Sequence, residues 1–171
     1  QPLKAMSDPL FSLALRAGGI FNGQAVASPT GQLGFTGRLP FLRRRLGLEL
    51  RGSYYLVSQS SELFGGTVMG QASMVPISLV VAWHQNFDEF QVKGGVGPAV
   101  QLAWLQVNEQ RAFQVLPGVE VVAGLSRRLG PGRIEIDLSF LYSRLESPLA
   151  NLNATGFGAR LGYAFDFARG G

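Results

Sequence analysis

Residues 134–143 read Ile134-Glu135-Ile136-Asp137-Leu138-Ser139-Phe140-Leu141-Tyr142-Ser143. Apolar and polar residues alternate almost without a break. A period of two belongs to a β-strand, whose successive side chains point to opposite faces. Ile134, Ile136, Leu138, Phe140 and Tyr142 share one face. Glu135, Asp137, Ser139 and Ser143 share the other.

Working outward from this stretch, the same alternation recurs over residues 11–21, 32–39, 46–56, 75–84, 91–104, 113–126 and 156–167. Eight segments is an even count, as an antiparallel up-and-down barrel requires for closure. The intervening connections alternate in length. Tight turns are expected around 40–45, 86–89 and 128–132, and longer loops around 22–30, 58–67, 106–112 and 146–154. That places both termini on the rim with the short turns, which in an outer-membrane barrel is the periplasmic one. Pro76, Pro98 and Pro117 fall inside predicted strands and lack a ladder donor. Bulges that locally reverse the inward and outward assignment are expected there.

Composition separates the membrane from the water-soluble version of this fold. The 171 residues are 46% hydrophobic and only 15% charged, against about 25% charged in an average soluble domain. No apolar run approaches the ~18 residues of a membrane helix. The 23 glycines are spread along the chain, which opposes long helices. A soluble lipocalin-like barrel turns its apolar face inward and shows water a face rich in Lys and Glu. Here the face opposite the apolar stripe is mostly Gly, Ala and Ser, with isolated charges. Small residues suit the narrow interior of an eight-stranded barrel. The apolar stripe carries no central charge, and aromatics such as Phe21, Phe35, Trp83, Trp104 and Phe165 sit toward its ends, as in interfacial girdles. The expected fold is therefore an all-β, eight-stranded antiparallel up-and-down transmembrane barrel over residues 10–168. Residues 1–9 form a short periplasmic arm and 169–171 a periplasmic tail. The chain starts at Gln1 without a leader, which reads as a processed or excised segment.

The inward charges balance. Arg16, Arg38, Arg51, Lys93 and Arg160 oppose Glu49, Glu120, Glu135, Asp137 and Asp166. Lone charges in a closed lumen are prohibitive, so a paired, plugging network is expected. Toward the loop rim the inward positions turn apolar: Ile20, Tyr55, Val57, Met74, Leu105, Leu116 and Leu141. These read as a dry plug or as a small apolar pocket, with the plug favoured. The net charge of +4 traces to the turns. Arg43, Arg44, Arg45, Arg127, Arg128 and Arg133 form a periplasmic basic rim, suited to anionic lipid heads or to a periplasmic partner. No basic stripe interleaves with aromatics, which excludes nucleic acid as a partner.

Residues 160–167, Arg-Leu-Gly-Tyr-Ala-Phe-Asp-Phe, resemble the C-terminal β-signal of outer-membrane proteins through Gly162, Phe165 and Phe167. With eight alternating segments, the chain resembles the small outer-membrane barrels: the OmpA transmembrane domain, OmpX and OmpW. The resemblance implies location in a bacterial outer membrane, contact with its lipid and lipopolysaccharide, and recognition by the barrel assembly machinery. The chain departs from the pattern by continuing past the aromatic to Gly171, as a trimmed or short-tailed version.

Chemistry is sparse. There is one histidine, His84, and no cysteine. Some barrels of this size resemble lipid A-editing enzymes with a His, a Ser and an acidic partner. His84-Gln85-Asn86 offers no Ser at the neighbouring inward position, and Glu135 with Asp137 reads as a partner for arginines. No phosphate loop or metal cluster appears, and no cofactor is expected. The expected function is a non-enzymatic structural anchor or membrane component of a larger envelope assembly. The alternative is an OmpW-like narrow conduit or binding site for small hydrophobic molecules.

Overall fold

In a computed structural model of the chain, the alternating segments pair in chain order and the last closes on the first. The structure describes residues 9–22, 25–39, 45–63, 66–107, 110–143 and 155–169, with side chains described over 9–21, 28–39, 45–56, 71–106, 111–143 and 155–167. The strands are β1 (Pro9–Asn22), β2 (Ala25–Arg38), β3 (Leu46–Leu63), β4 (Gly66–Phe87), β5 (Phe90–Val107), β6 (Gln110–Leu129), β7 (Gly132–Ser143) and β8 (Gly156–Arg169).

Closure carries a stagger. Phe11 pairs with Gly37, then through Leu48, Val81, Val96, Val121, Phe140 and Phe157 the ladder returns to β1 at Phe21. The circuit climbs ten residues of β1, from Phe11 to Phe21. Strands must tilt by about 35–45° to accommodate such a shear. At that tilt the stripe from Val92 to Trp104 on β5 is long enough to cross a hydrocarbon core, which needs ~9–11 residues.

The faces divide as the alternation requires. Leu15, Leu33, Leu50, Val121, Leu138 and Leu161 are exposed on the outside, while Arg51, Glu49 and Asp137 are fully buried within. An outer wall this apolar, on a closed barrel with a charged interior, is built for lipid. The strands therefore cross a membrane.

Two expectations fail. Registers run without a shift through Pro76, Pro98 and Pro117, so no bulge forms at them. Each proline instead sits at a gap or an end of a ladder. The β3–β4 pairing lapses between Gly52↔Ile77 and Tyr55↔Met74, beside Pro76. The β4–β5 pairing lapses between Ser78↔Ala99 and Val81↔Val96, beside Pro98. Pro117 lies just before the first β6–β7 pair, Gly118↔Ser143. A missing donor deletes a rung without adding a residue, so the in/out parity survives. The described ladders shift only between β1 and β2, at Ile20/Asn22.

The second failure concerns three of the four expected longer loops. β2 begins at Ala25, β3 and β4 pair out to Leu63↔Gly66, and β5 and β6 to Val107↔Gln110. The polar run Ser58-Gln59-Ser60-Ser61 continues the ladder. Beyond the membrane both faces of a strand meet water, so the apolar alternation ends while backbone pairing goes on. The fourth expected loop, 146–154, lies outside the described residues apart from its approach at Thr155.

At the opposite rim, Phe87↔Phe90 and Leu129↔Gly132 close two-residue turns. Of the third expected turn, 40–45, only Arg45 lies within the described residues. Such hairpins need positive φ at the first central position. Gly130 supplies it at 59°, but Asp88 sits at 46° with a β-carbon to accommodate. Asp88→Gly is expected to raise stability by about 1 kcal/mol, read as a shifted midpoint in urea unfolding from lipid vesicles.

Candidate functional site

The lumen is filled in three tiers. Nearest the termini, Arg133 donates to Gln91 and Ser12 and lies 3.1 Å from Asp166. Arg38 also donates to the Gln91 side chain, at 2.8 Å. His84 is buried here on the inward face.

The middle tier is ionic. Arg16 donates from Nε and Nη2 to Glu135 at 3.0 and 2.8 Å, and lies 2.8 Å from Glu49. Its Nη1 donates to Gln32 Oε1 at 2.9 Å. Arg51 reaches Asp137 with both terminal nitrogens, Gln32 at 3.1 Å and Glu120 at 3.6 Å. Lys93 Nζ bridges Glu49 at 3.2 Å and Asp137 at 3.0 Å. Arg160 donates to Ser139 at 2.8 Å and stands 3.8 Å from Asp137. Ser78 donates to Glu120. Four cations thus face four anions: Arg16, Arg51, Lys93 and Arg160 against Glu49, Glu120, Glu135 and Asp137.

Glycine makes the room. A β-carbon on Gly34 would stand 2.8 Å from Arg16 Nη1, one on Gly124 2.6 Å from Lys93 Cε, and one on Gly158 2.9 Å from Arg160 Nη1. The glycine-rich inward face of the sequence is the space that the long basic side chains occupy.

Toward the loop rim lies an apolar tier. Ile20, Tyr55, Met74 and Leu116 pack with Ala72 and Ala103, and Leu105 packs against them. Gln101 donates to the Tyr55 hydroxyl. Leu141 is buried beside a cavity of only about 10 Å³, lined also by Ile20, Tyr55, Glu120 and Arg160. That is room for about one water molecule. The Val57 side chain lies outside the described residues.

One expected site residue changes place. Arg133, expected on the basic rim, is buried in the lumen. The turn ends at Gly132, so β7 parity carries Arg133 inward with Glu135 and Asp137. Counting it, the lumen holds six cations to five anions among the described residues. Arg45, Arg127 and Arg128 are exposed at the rim. Arg45 lies over Trp83, and Arg127 lies over Phe90 and 2.6 Å from Glu89. Arg43 and Arg44 lie outside the described residues. Phe165 and Phe167 point outward. Gly162 faces the lumen, where a β-carbon would stand 2.6 Å from Arg16 Cγ.

The polar bridges Gln32, Gln91, Gln101, Ser12, Ser78 and Ser139 are not among the site residues expected from sequence. Their signal is parity: each lies on the same face as the charges. Neither ring nitrogen of His84 has a hydrogen-bond partner among the described residues. No group of metal-binding side chains occurs among them.

With this geometry in hand, comparison with known structures is decisive for the fold. Neisserial surface protein A superposes with a TM-score of 0.69 at 11% identity, over 92% of this chain and 96% of that one. Its fold is that of the small outer-membrane barrels. A major outer membrane protein from Thermus thermophilus matches with a TM-score of 0.65 at 15% identity, over 92% and 99%. The outer membrane enzyme PagL matches with a TM-score of 0.54 at 12% identity, over 91% and 99%. The same small-barrel architecture thus carries surface proteins and an enzyme. No protein-family model matches the sequence, and no curated protein matches it.

Proposed function

We propose that this chain is a non-enzymatic integral barrel of a bacterial outer membrane, with a plugged lumen. It acts as a structural anchor or as the membrane component of a larger envelope assembly. The observation that carries this reading is the four-against-four ionic tier between Arg16, Glu49, Arg51, Lys93, Glu120, Glu135, Asp137 and Arg160. Every charge in it has an opposite within 3.8 Å, and apolar packing lies above it. Permeating ions would have to displace paired, desolvated groups. In planar bilayers the purified chain is expected to give no steady conductance. A stable open channel is the result that defeats the plug.

The short-turn rim and the termini are read as periplasmic. Residues 10–168 are the barrel, with 1–9 and 169–171 as periplasmic extensions. Gly162, Phe165 and Phe167 serve as the assembly signal. The exposed Arg45, Arg127 and Arg128, with Arg43 and Arg44, offer a periplasmic partner or lipid phosphates a basic rim. Surrounding outer-membrane lipid, including lipopolysaccharide, is the partner of the apolar wall. The conduit alternative rests on the Ile20, Tyr55, Met74 and Leu116 tier, but among the described residues these side chains pack on one another beside a cavity of only about 10 Å³.

PagL shows that an enzyme can occupy this architecture. In this chain an imidazole mechanism would have to use His84, buried at the terminal rim without a bonded hydroxyl or carboxylate among the described residues. Extracted lipid A is expected to be identical, by mass spectrometry, from cells expressing the wild-type chain and His84→Ala. A modification that disappears with the substitution would reinstate an enzyme.

A further inference from the structure

We infer that the outer wall of β4, β5 and β6 at the loop rim holds the phosphate-bearing headgroup of an acylated glycolipid. This rests on the reading that the loop rim lies in the outer leaflet. A cavity of about 500 Å³ opens there, lined by Gln71, Ser73, Trp104, Gln106, Arg111 and Phe113, among others. That volume falls within the roughly 300–1,000 Å³ of small-molecule sites.

The register arranges the cavity as an amphipathic ladder. Val75, Leu102 and Val115 are partners across the three strands and end the lipid-facing stripe. One outward row higher stand Ser73, Trp104 and Phe113. The two rings lie 5.2 Å apart, tilted by 46°. The next row is Gln71, Gln106 and Arg111. Acyl chains match the first row. The C–H face of a sugar matches the rings of the second, whose electron-rich faces attract it. A phosphate matches the third, where a guanidinium and two amides supply donors. Among the described residues no carboxylate lines the cavity and none forms an ion pair with Arg111. The site thus selects an anion that carries both a ring and chains. A plain phospholipid matches the first and third rows but has no sugar for the second.

The test uses the full chain in detergent micelles and native mass spectrometry. The probe is an acylated, bis-phosphorylated glucosamine disaccharide, compared with the same molecule lacking its phosphates. Arg111→Gln is expected to weaken the phosphorylated probe at least tenfold and to leave the dephosphorylated probe unchanged. Trp104→Leu is expected to weaken both. Phe87→Leu, exposed at the opposite rim and outside both the cavity and the basic rim, is expected to change neither. Both substituted site residues are surface-exposed, and circular dichroism confirms that each variant is folded. Equal affinity of wild type and Arg111→Gln, or equal binding of the two probes, overturns the site. Orientation is read separately. The chain has no cysteine, so Gln106→Cys provides a single thiol for an impermeant maleimide applied to intact cells. Binding without labelling keeps the site and discards the orientation. Labelling without phosphate-dependent binding does the reverse.

Discussion

Asp137→Asn is expected to destabilise the barrel by about 3–5 kcal/mol. Asp137 is fully buried and lies at the centre of the ionic tier, within 3.8 Å of Arg51, Lys93 and Arg160. An amide keeps the shape but removes the charge. Three desolvated cations then share Glu49, Glu120 and Glu135 with Arg16, and the tier carries a net positive charge. Removing one member of a buried pair is costly because the other is left uncompensated, whatever the net worth of the intact pair. The measurement is urea unfolding from lipid vesicles, followed by the fluorescence of Trp83 and Trp104. Raising the salt should leave the loss largely intact, since buried charges are screened far less than exposed ones. A loss below about 1 kcal/mol would place Asp137 in the range of exposed ion pairs. The lumen would then be wet, and the plugged reading would fall with it. A double-mutant cycle with Arg51→Met isolates the pair. A strong positive coupling is expected, with the double variant much less damaged than the two single losses added together.

Leu138→Arg is expected to cost about 2–4 kcal/mol, the depth-dependent penalty for a cation facing the middle of the bilayer. Leu138 is the middle residue of the outward stripe Ile134, Ile136, Leu138, Phe140 and Tyr142 on β7. The same substitution at Ile134, close to the turn, is expected to cost only about 0–1 kcal/mol, because its guanidinium reaches the interface. The gradient between the two positions matters more than either value. Equal, small effects at both would mean that water bathes this face, and the membrane reading would fail.

The two variants probe adjacent residues on one strand, and both assignments are legible in the linear pattern. Inward and outward follow from the parity of Ile134 to Ser143, because successive side chains on any strand must alternate. Which face meets lipid follows from composition: charges and glycines on one side, an uncharged stripe on the other. Less legible are the ends of the elements. Ser58 to Ser61 read as loop because the apolar signal stops where the membrane does. Arg133 reads as rim because its proximity to the turn masks its parity with Glu135. The prolines mislead because they impose a lost rung and not an inserted residue.

Alternation, the number of strands and the sign of each face are local properties, and residue order alone determined them here. Tertiary structure decided which charge meets which. Arg16 meets Glu135 across 119 positions only because the closing ladder returns Phe11's row to Phe21. That stagger is a property of the closed ring. It is set by how eight strands share tilt and hydrogen bonds at once, and no single strand encodes it. The space for Arg16, Lys93 and Arg160 has the same origin, since glycines on neighbouring strands become useful only when the register brings them alongside.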